Sequence, residues 1–249
     1  MIEIKALSFS YNSKEILKDL CLEIPRGEMV FLLGPNGSGK TTLLKCIAGI
    51  LKPKGAVLVE KRDLAKLPRS EIAKIFGYVP QRGEISHLTV FDVILLGRKP
   101  YMGWEPKEED YKAVEEVIKI FELENLATRK LTELSGGELQ LVLIARAFAQ
   151  NPRYILLDEP TNNLDIRNQI AVMKLLKMAV REKGMSAVVT THELNLAANF
   201  ANRIVMLKNG RIFASGGVEV LNEENIKAVY GVDVEIVRLR GRMAVILDS

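Results

Sequence analysis

A glycine-rich segment near the start of the chain has the residue types and the spacing that hold phosphate groups. It consists of Gly34, Pro35, Asn36, Gly37, Ser38, Gly39, Lys40, Thr41 and Thr42, and it fits the pattern G-x-x-x-x-G-K-[ST] in full. Glycines allow the backbone to turn its N–H groups inward around phosphates, and a helix that starts here adds its partial positive charge. We expect Lys40 to reach the β- and γ-phosphates of a nucleoside triphosphate and the Thr41 hydroxyl to bind Mg²⁺. The alternative is an ordinary glycine turn between a strand and a helix.

A pair of carboxylates follows an apolar run in the second half of the chain. Residues 153–157 predict a buried strand, and Asp158 and Glu159 come directly after it. A carboxylate at the tip of a strand beside a phosphate loop holds Mg²⁺ directly or through water. Glu159 is a candidate to polarise an attacking water. An Asp-Glu pair is also common as a simple turn, so this prediction depends on the phosphate loop.

A second glycine-rich segment has a different pattern. It contains Ser135, Gly136, Gly137 and Glu138. Ser135 and Glu138 match a capping box, in which a serine precedes a helix and a glutamate occupies its third position. The alternative is that Ser135 only caps a helix. The two glycines favour more than a cap, because they lower helix propensity where the helix begins and leave backbone exposed for an anion.

The elements that must position these residues alternate between strands and helices. Residues 28–33 are an apolar run suited to a buried parallel strand, and residues 41–51 have apolar side chains at helical spacing. Residues 86–150 are rich in predicted helix, and alternation of strand and helix resumes from Asn151. The pattern predicts an α/β fold with a helical insertion.

Composition is typical of a cytosolic protein with a large core. The chain has 249 residues, of which 48% are hydrophobic, and its net charge of +4 comes from 35 basic and 31 acidic residues. That balance does not favour nucleic-acid binding. Cys21 and Cys46 lie in apolar surroundings, so we expect two small core residues and neither a disulfide nor a metal pair. No apolar run is long enough to predict a membrane span or a signal peptide.

In its motifs and their order, the chain closely resembles the nucleotide-binding subunits of ATP-binding cassette (ABC) transporters. The likeness covers essentially all residues and follows the phosphate loop, Gln81, the signature at Leu134–Glu138, the acidic strand end, the turn Asn163-Leu164-Asp165 and His192. The resemblance implies an α/β P-loop NTPase (ABC ATPase) core with a parallel sheet, an N-terminal antiparallel β subdomain and a helical subdomain. It implies one domain over residues 1–249, with the helical subdomain at about 86–150.

The resemblance also implies roles for single residues. Tyr11 stacks on adenine, Gln81 completes the shell of Mg²⁺ and water, and His192 contacts the γ-phosphate. Glu159 is the general base. Ser135 and Gly137 contact the γ-phosphate of a nucleotide held by the other subunit of a homodimer, and Asp165 belongs to the loop that couples the two sites. Glu138 departs from the glutamine that the family has more often at this position.

Each of these residues has a structural alternative. Gln81 follows a proline and is compatible with an ordinary loop, His192 with the start of a helix, and Tyr11 with an exposed turn. The loop 97–104 contains the only tryptophan, Trp104. Exposed aromatic residues there suit a docking surface for a membrane partner, whereas the alternative is that Trp104 anchors the loop to its own domain.

The resemblance further implies partners and a place in the cell. The chain is expected to be peripheral on the cytoplasmic face of the cell membrane, bound to transmembrane permease subunits that work with an extracytoplasmic substrate-binding protein. Three segments resemble the corresponding stretches in importers of iron–siderophore complexes, haem and cobalamin. They are residues 91–101, 193–198 and 229–233. The leading alternative is a soluble ABC ATPase of iron–sulfur cluster assembly. Cassettes of DNA repair or ribosome binding are disfavoured because no long insertion or tandem cassette is visible, and a nucleotide sensor without turnover is disfavoured by Glu159 and His192.

Overall fold

The computed structural model describes residues 1–81, 83, 86–162, 164–239 and 241–248. The chain forms two compact units. The first unit consists of Met1–Leu67 and Leu176–Ser249, and the second of Pro68–Leu175.

The strands and helices have the following bounds. The strands are β1 (Ile2–Tyr11), β2 (Lys14–Ile24), β3 (Met29–Leu33), β4 (Lys54–Val59), β5 (Arg62–Asp63), β6 (Phe76–Val79), β7 (Tyr154–Asp158), β8 (Ser186–Thr190), β9 (Arg203–Lys208), β10 (Arg211–Gly216), β11 (Val234–Leu239) and β12 (Arg242–Leu247). The helices are α1 (Lys40–Ile47), α2 (Arg69–Ile75), α3 (Val90–Leu96), α4 (Glu108–Ile120), α5 (Gly136–Ala149), α6 (Ile166–Lys183), α7 (Leu194–Phe200) and α8 (Glu223–Tyr230). The division between the units falls within α6.

The first unit contains an antiparallel sheet with the strand order β2-β1-β4-β5. Along β2, Leu20 and Leu22 are buried while Cys21 between them is exposed. The expectation that Cys21 is a core residue is therefore wrong: successive side chains of a strand point to opposite faces, and only one face of β2 is covered at this point. Cys46 is buried as expected, and burial raises the pKa of its thiol to about 12.

A second sheet of the first unit positions the phosphate loop. β3 pairs in parallel with β8 on one side and with β9 on the other, and β10 pairs antiparallel with β9. Every residue of β3 and β8 is buried. Continuous apolar runs of this kind belong to parallel strands that are covered on both faces, which confirms the predicted α/β class. The antiparallel β10 makes the sheet mixed.

The second unit combines a parallel strand pair with helices. β6 pairs with β7, all five residues of β7 are buried, and the rings of Phe76 and Tyr154 on these strands lie 5.6 Å apart. Helix α3 packs against both α4 and α5. Helices α3, α4 and α5 all lie within residues 86–150, so the predicted helix-rich stretch is confirmed.

A buried carboxylate starts α4. Asp110 is 3% exposed, its Oδ2 accepts the backbone N–H of Lys107 at 3.0 Å, and its Oδ1 accepts Arg98 Nε at 3.0 Å. The Lys107 N–H and then the Arg98 guanidinium hold the pKa of Asp110 below its ordinary value of 3.8. Such a group adds to the free energy of unfolding above the ordinary pKa, and its contribution is lost as the pH falls through the lower pKa of the folded state.

We expect Asp110→Asn to lower the free energy of unfolding at pH 7 by about 2 kcal/mol, because asparagine has one acceptor oxygen for the two donors that Asp110 binds and leaves the Arg98 charge without a counter-charge. The difference from the parent should shrink as the pH falls below about 4. Urea unfolding followed by circular dichroism at several pH values measures it. Glu108→Gln is the control, since Glu108 forms an exposed ion pair with Lys112 on the same helix. A difference that is constant with pH contradicts the assignment.

Candidate functional site

The phosphate loop joins β3 to α1 and is shaped by its glycines. Gly34 has φ 149°, and a Cβ at this position would lie 2.3 Å from the carbonyl oxygen of Leu207. Only glycine fits there, because no side chain tolerates so close an approach of backbone. Gly39 is the N-cap of α1 and brings no side chain to cover the first turn. An α-helix leaves its first N–H groups without an acceptor inside the helix, so the loop presents donors to an anion.

Two polar side chains complete this cradle. Lys40 is 6% exposed, and its Nζ donates to the carbonyl oxygens of Gly34 at 2.6 Å and Pro35 at 3.1 Å. The hydroxyl of Ser38 is buried and has no hydrogen-bond partner within the part of the chain that the structure describes. Buried polar groups of this kind cost free energy unless a partner satisfies them. The chemistry of the loop therefore fits a phosphate ligand.

His192 lies at the same edge of the sheet as the phosphate loop. β3 and β8 run in parallel side by side, and the loop and His192 each follow the carboxyl end of their strand. Ligand sites of open α/β sheets lie at this edge. His192 is exposed, and the turn after it is fixed by the Thr191 hydroxyl, which accepts the N–H of Glu193 at 3.0 Å.

Tyr11 closes β1 as an exposed aromatic residue. Its ring is 46% exposed and meets the ring of Phe9 edge to face, with the centroids 4.9 Å apart. Phe9 supports the ring without covering it. A supported but uncovered ring is suited to stacking on a base.

A tyrosine that we did not single out from the sequence lies beside the phosphate loop. Tyr230 ends α8. Burial raises the pKa of its hydroxyl to about 12, and the backbone of Gly34 lowers this pKa by a smaller amount. The hydroxyl is buried and close to the Gly34 N–H, but the geometry does not make a hydrogen bond. Its neighbour Gly231 adopts the left-handed conformation that ends the helix. In the sequence, residues 229–233 show only a likeness to the family. That likeness does not predict that Tyr230 lies beside the phosphate loop.

In the second unit, Gln81 and Glu159 come together. They follow the carboxyl ends of the adjacent parallel strands β6 and β7, and Gln81 Nε2 donates to Glu159 Oε2 at 2.7 Å. Asn162 Nδ2 donates to the same oxygen at 2.5 Å. Asp158 is the last residue of β7 and is 1% exposed. Two amide groups therefore hold one oxygen of the Glu159 carboxylate.

The backbone of Glu159 is strained. Its φ is 49°, which lies in the left-handed region of backbone conformation that residues other than glycine rarely adopt. Such a conformation costs on the order of 1–3 kcal/mol and is concentrated at functional sites. The sequence motif predicts Glu159 but not Asn162, because a side chain three residues further along a turn carries no motif of its own.

The signature segment begins α5 with the predicted capping box. The Ser135 N–H and hydroxyl both donate to Glu138 Oε2, at 2.8 and 2.7 Å, and the Ser135 hydroxyl accepts the Glu138 N–H at 3.3 Å. The Ser135 hydroxyl and N–H lower the pKa of Glu138. Ser135 and Gly136 remain exposed, and Gly137 is half-buried. The cap and an open helix start therefore coexist.

Two further predicted positions lie in this unit. Asp165 precedes α6 and caps it, since its Oδ1 accepts the N–H of Asn168 at 2.7 Å. Asn163 of the same turn lies outside the described residues. Trp104 is fully exposed, so it does not anchor the loop 97–104 to the rest of the unit.

Two features are absent from the described residues. They contain no group of three or more histidine, cysteine or acidic residues arranged to hold a metal ion. No helix in the same part of the chain combines the length and the apolar composition that spanning a membrane requires.

Comparison with protein families and curated sequences gives consistent matches. The model of the ABC transporter domain matches residues 17–162. An uncharacterised ABC transporter ATP-binding protein of Methanocaldococcus jannaschii is 50% identical, over 97% of this chain and 95% of that protein. A probable siderophore transport system ATP-binding protein of Bacillus subtilis is 38% identical, over 94% of this chain and 87% of its own length.

Solved structures match over nearly the full length. A transporter described as being of the metal-chelate type, in an inward-facing conformation, has a TM-score of 0.84 and 30% identity, covering 99% of this chain and 96% of that one. A dimeric ATP-binding cassette in a post-hydrolysis state, bound to ADP and Pi, has a TM-score of 0.79 and 36% identity, covering 88% of this chain and 99% of the other. These likenesses agree with the mixed sheet and the antiparallel N-terminal sheet.

Proposed function

The chain belongs to the ABC transporter family and is an ATP-binding, ATP-hydrolysing cassette, and we propose that it energises an importer of iron–siderophore complexes. The observation that carries this cargo class is the siderophore-system relative, which is 38% identical over 94% of the chain. The likeness to a metal-chelate transporter supports it. The relatives named above do not extend this support to haem or cobalamin, the other cargoes that the sequence suggests, and they do not favour iron–sulfur cluster assembly.

Named residues take the parts of the nucleotide site in this proposal. The phosphate loop 34–42 holds the phosphates, Lys40 turns from the loop carbonyls to the β- and γ-phosphates, and Tyr11 stacks on adenine. Thr41, Asp158 and Gln81 supply the oxygen ligands that suit Mg²⁺. When bound, Mg²⁺ neutralises charge on the phosphates during phosphoryl transfer.

Hydrolysis follows from the carboxylate held by two amides. A water oxygen attacks the γ-phosphorus while Glu159 accepts the water proton, and the bond to the bridging oxygen breaks with that oxygen leaving on ADP. Gln81 and Asn162 fix the direction of the carboxylate through the bonds of 2.7 and 2.5 Å. His192 donates a hydrogen bond to the γ-phosphate, where negative charge must be stabilised.

A second copy of the chain completes the site. Ser135 and Gly137 of one subunit bind the γ-phosphate of ATP held by the other, so a head-to-tail homodimer encloses two nucleotides. The open start of α5 supplies backbone donors for that contact. The related cassette that was solved as a dimer with ADP and Pi supports this arrangement. Asp165 lies in the loop that we assign to coupling between the two sites.

Partners are needed for transport. Permease subunits bind the dimer at the cytoplasmic face of the membrane, where the cassette is peripheral, and an extracytoplasmic protein delivers the iron chelate to them. The exposed Trp104 and Tyr101 of the loop 97–104 are the docking residues in this proposal, since exposed aromatic side chains anchor protein interfaces.

Purification from native membranes tests the proposal. A tagged chain should copurify with a polytopic permease, and the reconstituted complex should couple ATP hydrolysis to uptake of a ferric siderophore. The same vesicles with haem or cobalamin are the cargo controls. Copurification with soluble scaffold proteins alone would support iron–sulfur assembly and overturn transport.

The role of Asn162 gives a second test. We expect Asn162→Ala to lower kcat for ATP hydrolysis about tenfold with little change in KM, because the carboxylate loses one of the two amides that orient it. Steady-state phosphate release measures both constants. Asn199→Ala is the matched control, since the exposed Asn199 amide donates to the carbonyl oxygen of Asn195 within its own helix, at 2.7 Å. A rise in KM at constant kcat would show that Asn162 acts on nucleotide binding instead.

A further inference from the structure

A buried ion pair in the second unit joins three segments. Arg98 follows α3, Asp110 lies in the first turn of α4, and Ala149 is the last residue of α5. Arg98 Nε donates to Asp110 Oδ1 at 3.0 Å, and its Nη1 donates to the carbonyl oxygen of Ala149 at 2.9 Å. The two charged side chains are only 14% and 5% exposed. One guanidinium thus satisfies the carboxylate of α4 and the helix end of α5 together.

The same guanidinium supports the exposed loop 97–104. The carbon at the centre of the Arg98 guanidinium lies 4.4 Å from the centroid of the Tyr101 ring, and the Lys74 Nζ lies 5.3 Å from the same centroid. Both distances are within the range of cation–π attraction. Tyr101 is 39% exposed, so its ring is held by Arg98 while part of it faces solvent. A displacement of the Tyr101 ring with the loop is therefore transmitted to the Arg98 guanidinium.

Backbone contacts fix α3 to α5 near Arg98. A Cβ at Gly97 would lie 2.2 Å from the carbonyl oxygen of Arg146 in the last turn of α5. The two helices consequently meet backbone to backbone at this end, with no side chain between them that could adapt.

The other end of α3 is tied to the segment that leads into the signature. The N–H of Val90 donates to the carbonyl oxygen of Arg129 at 2.9 Å. The N–H of Leu131 donates to the carbonyl oxygen of Leu88 at 3.1 Å. Leu131 precedes Ser135 by one short turn of helix. Helix α3 therefore contacts α5 at its own C-terminal end. At its N-terminal end it contacts the segment that leads into the signature.

We propose that Arg98 is a positioning residue that makes the loop 97–104 and the signature helix α5 move together. A displacement of the loop is passed through Arg98 to the end of α5, and the rigid helix carries it to Ser135. Lysine cannot replace the fork, because a single ammonium does not bond Asp110 and Ala149 while stacking on Tyr101. The inference rests on the proposed function, in which Ser135 acts on ATP held by a second subunit.

ATP-dependent dimerisation tests the inference. In a Glu159→Gln background, sedimentation velocity over a range of ATP concentrations gives the dimer association constant, and titration calorimetry on dilute protein gives the affinity of the monomer for ATP. We expect Arg98→Met to weaken association by about tenfold or more while ATP affinity stays within about twofold, because the phosphate loop is untouched and the signature is misplaced. Arg98→Lys should fall between Arg98→Met and the parent.

The control is Lys112→Met on the neighbouring helix α4. Lys112 forms an ion pair with Glu108 at 2.6 Å, but both side chains are more than two-thirds exposed, at 71% and 81%. This variant should dimerise as the parent does. Equal weakening by Lys112→Met, or parental association in Arg98→Lys and Arg98→Met, overturns the inference and leaves the proposed function standing. A parent that does not dimerise with ATP overturns the proposed function itself.

Discussion

Glu159→Gln should lower ATP hydrolysis by a factor of about 10²–10⁴, the range expected when a general base is removed. The substitution is close to isosteric, and the amide oxygen of glutamine still accepts the hydrogen bonds that Gln81 and Asn162 donate to Glu159 Oε2. The local arrangement should therefore survive while the group that takes the water proton is lost. Phosphate release under saturating ATP measures the effect.

The same variant should accumulate as a dimer with ATP bound. Binding and closure do not require the proton transfer, and the loss of one negative charge near the phosphates favours the closed state. Size-exclusion chromatography with ATP, compared with ADP, detects the dimer. Glu109→Gln, at an exposed position in the first turn of α4, is the control for the loss of a carboxylate. Turnover near the parental rate would show that another group is the base.

Local patterns predicted the fold well because buried parallel strands leave a clear signal. The run that became β3 is apolar throughout, β7 is apolar up to Asp158, and every residue of both strands is buried. Cys21 shows where the same logic fails. Its neighbours in sequence are apolar, yet β2 lies in an antiparallel sheet in which alternate side chains face solvent. Apolar neighbours therefore predict burial only where both faces of a strand are covered.

The site was predicted only as far as its motifs extend. The phosphate loop and the capping box of Ser135 depend on residues close in sequence, and their local geometry agrees with the prediction. The partners of Glu159 depend on tertiary structure, since Gln81 lies 78 positions away. Arg98 is a similar case, because its acceptor on Ala149 is 51 positions distant. Spacing in the sequence does not carry such contacts. The prediction of one domain over residues 1–249 stays a prediction.

Ser135→Arg tests the other half of the proposed site. We expect hydrolysis to fall by about 10²-fold or more, because a long cation at the start of α5 blocks the approach of a partner's nucleotide and misplaces the signature. Affinity of the monomer for ATP should be unchanged, since the phosphate loop belongs to the other unit of the fold. Phosphate release and calorimetric titration with ATP, measured on the same preparation, separate the two effects.

Loss of the helix cap must be distinguished from loss of the signature. Ser135 caps α5, and removing such a cap costs about 1 kcal/mol of stability. Asn222→Arg is the matched control, because Asn222 caps α8 in the same way, with its Oδ1 accepting the N–H of Asn225 at 2.8 Å. Urea unfolding should show a similar loss in the free energy of unfolding for both variants. Only Ser135→Arg should lose ATP hydrolysis. Equal loss of hydrolysis in the two variants would assign Ser135 to the stability of its helix, and parental hydrolysis in Ser135→Arg would remove the signature from the mechanism.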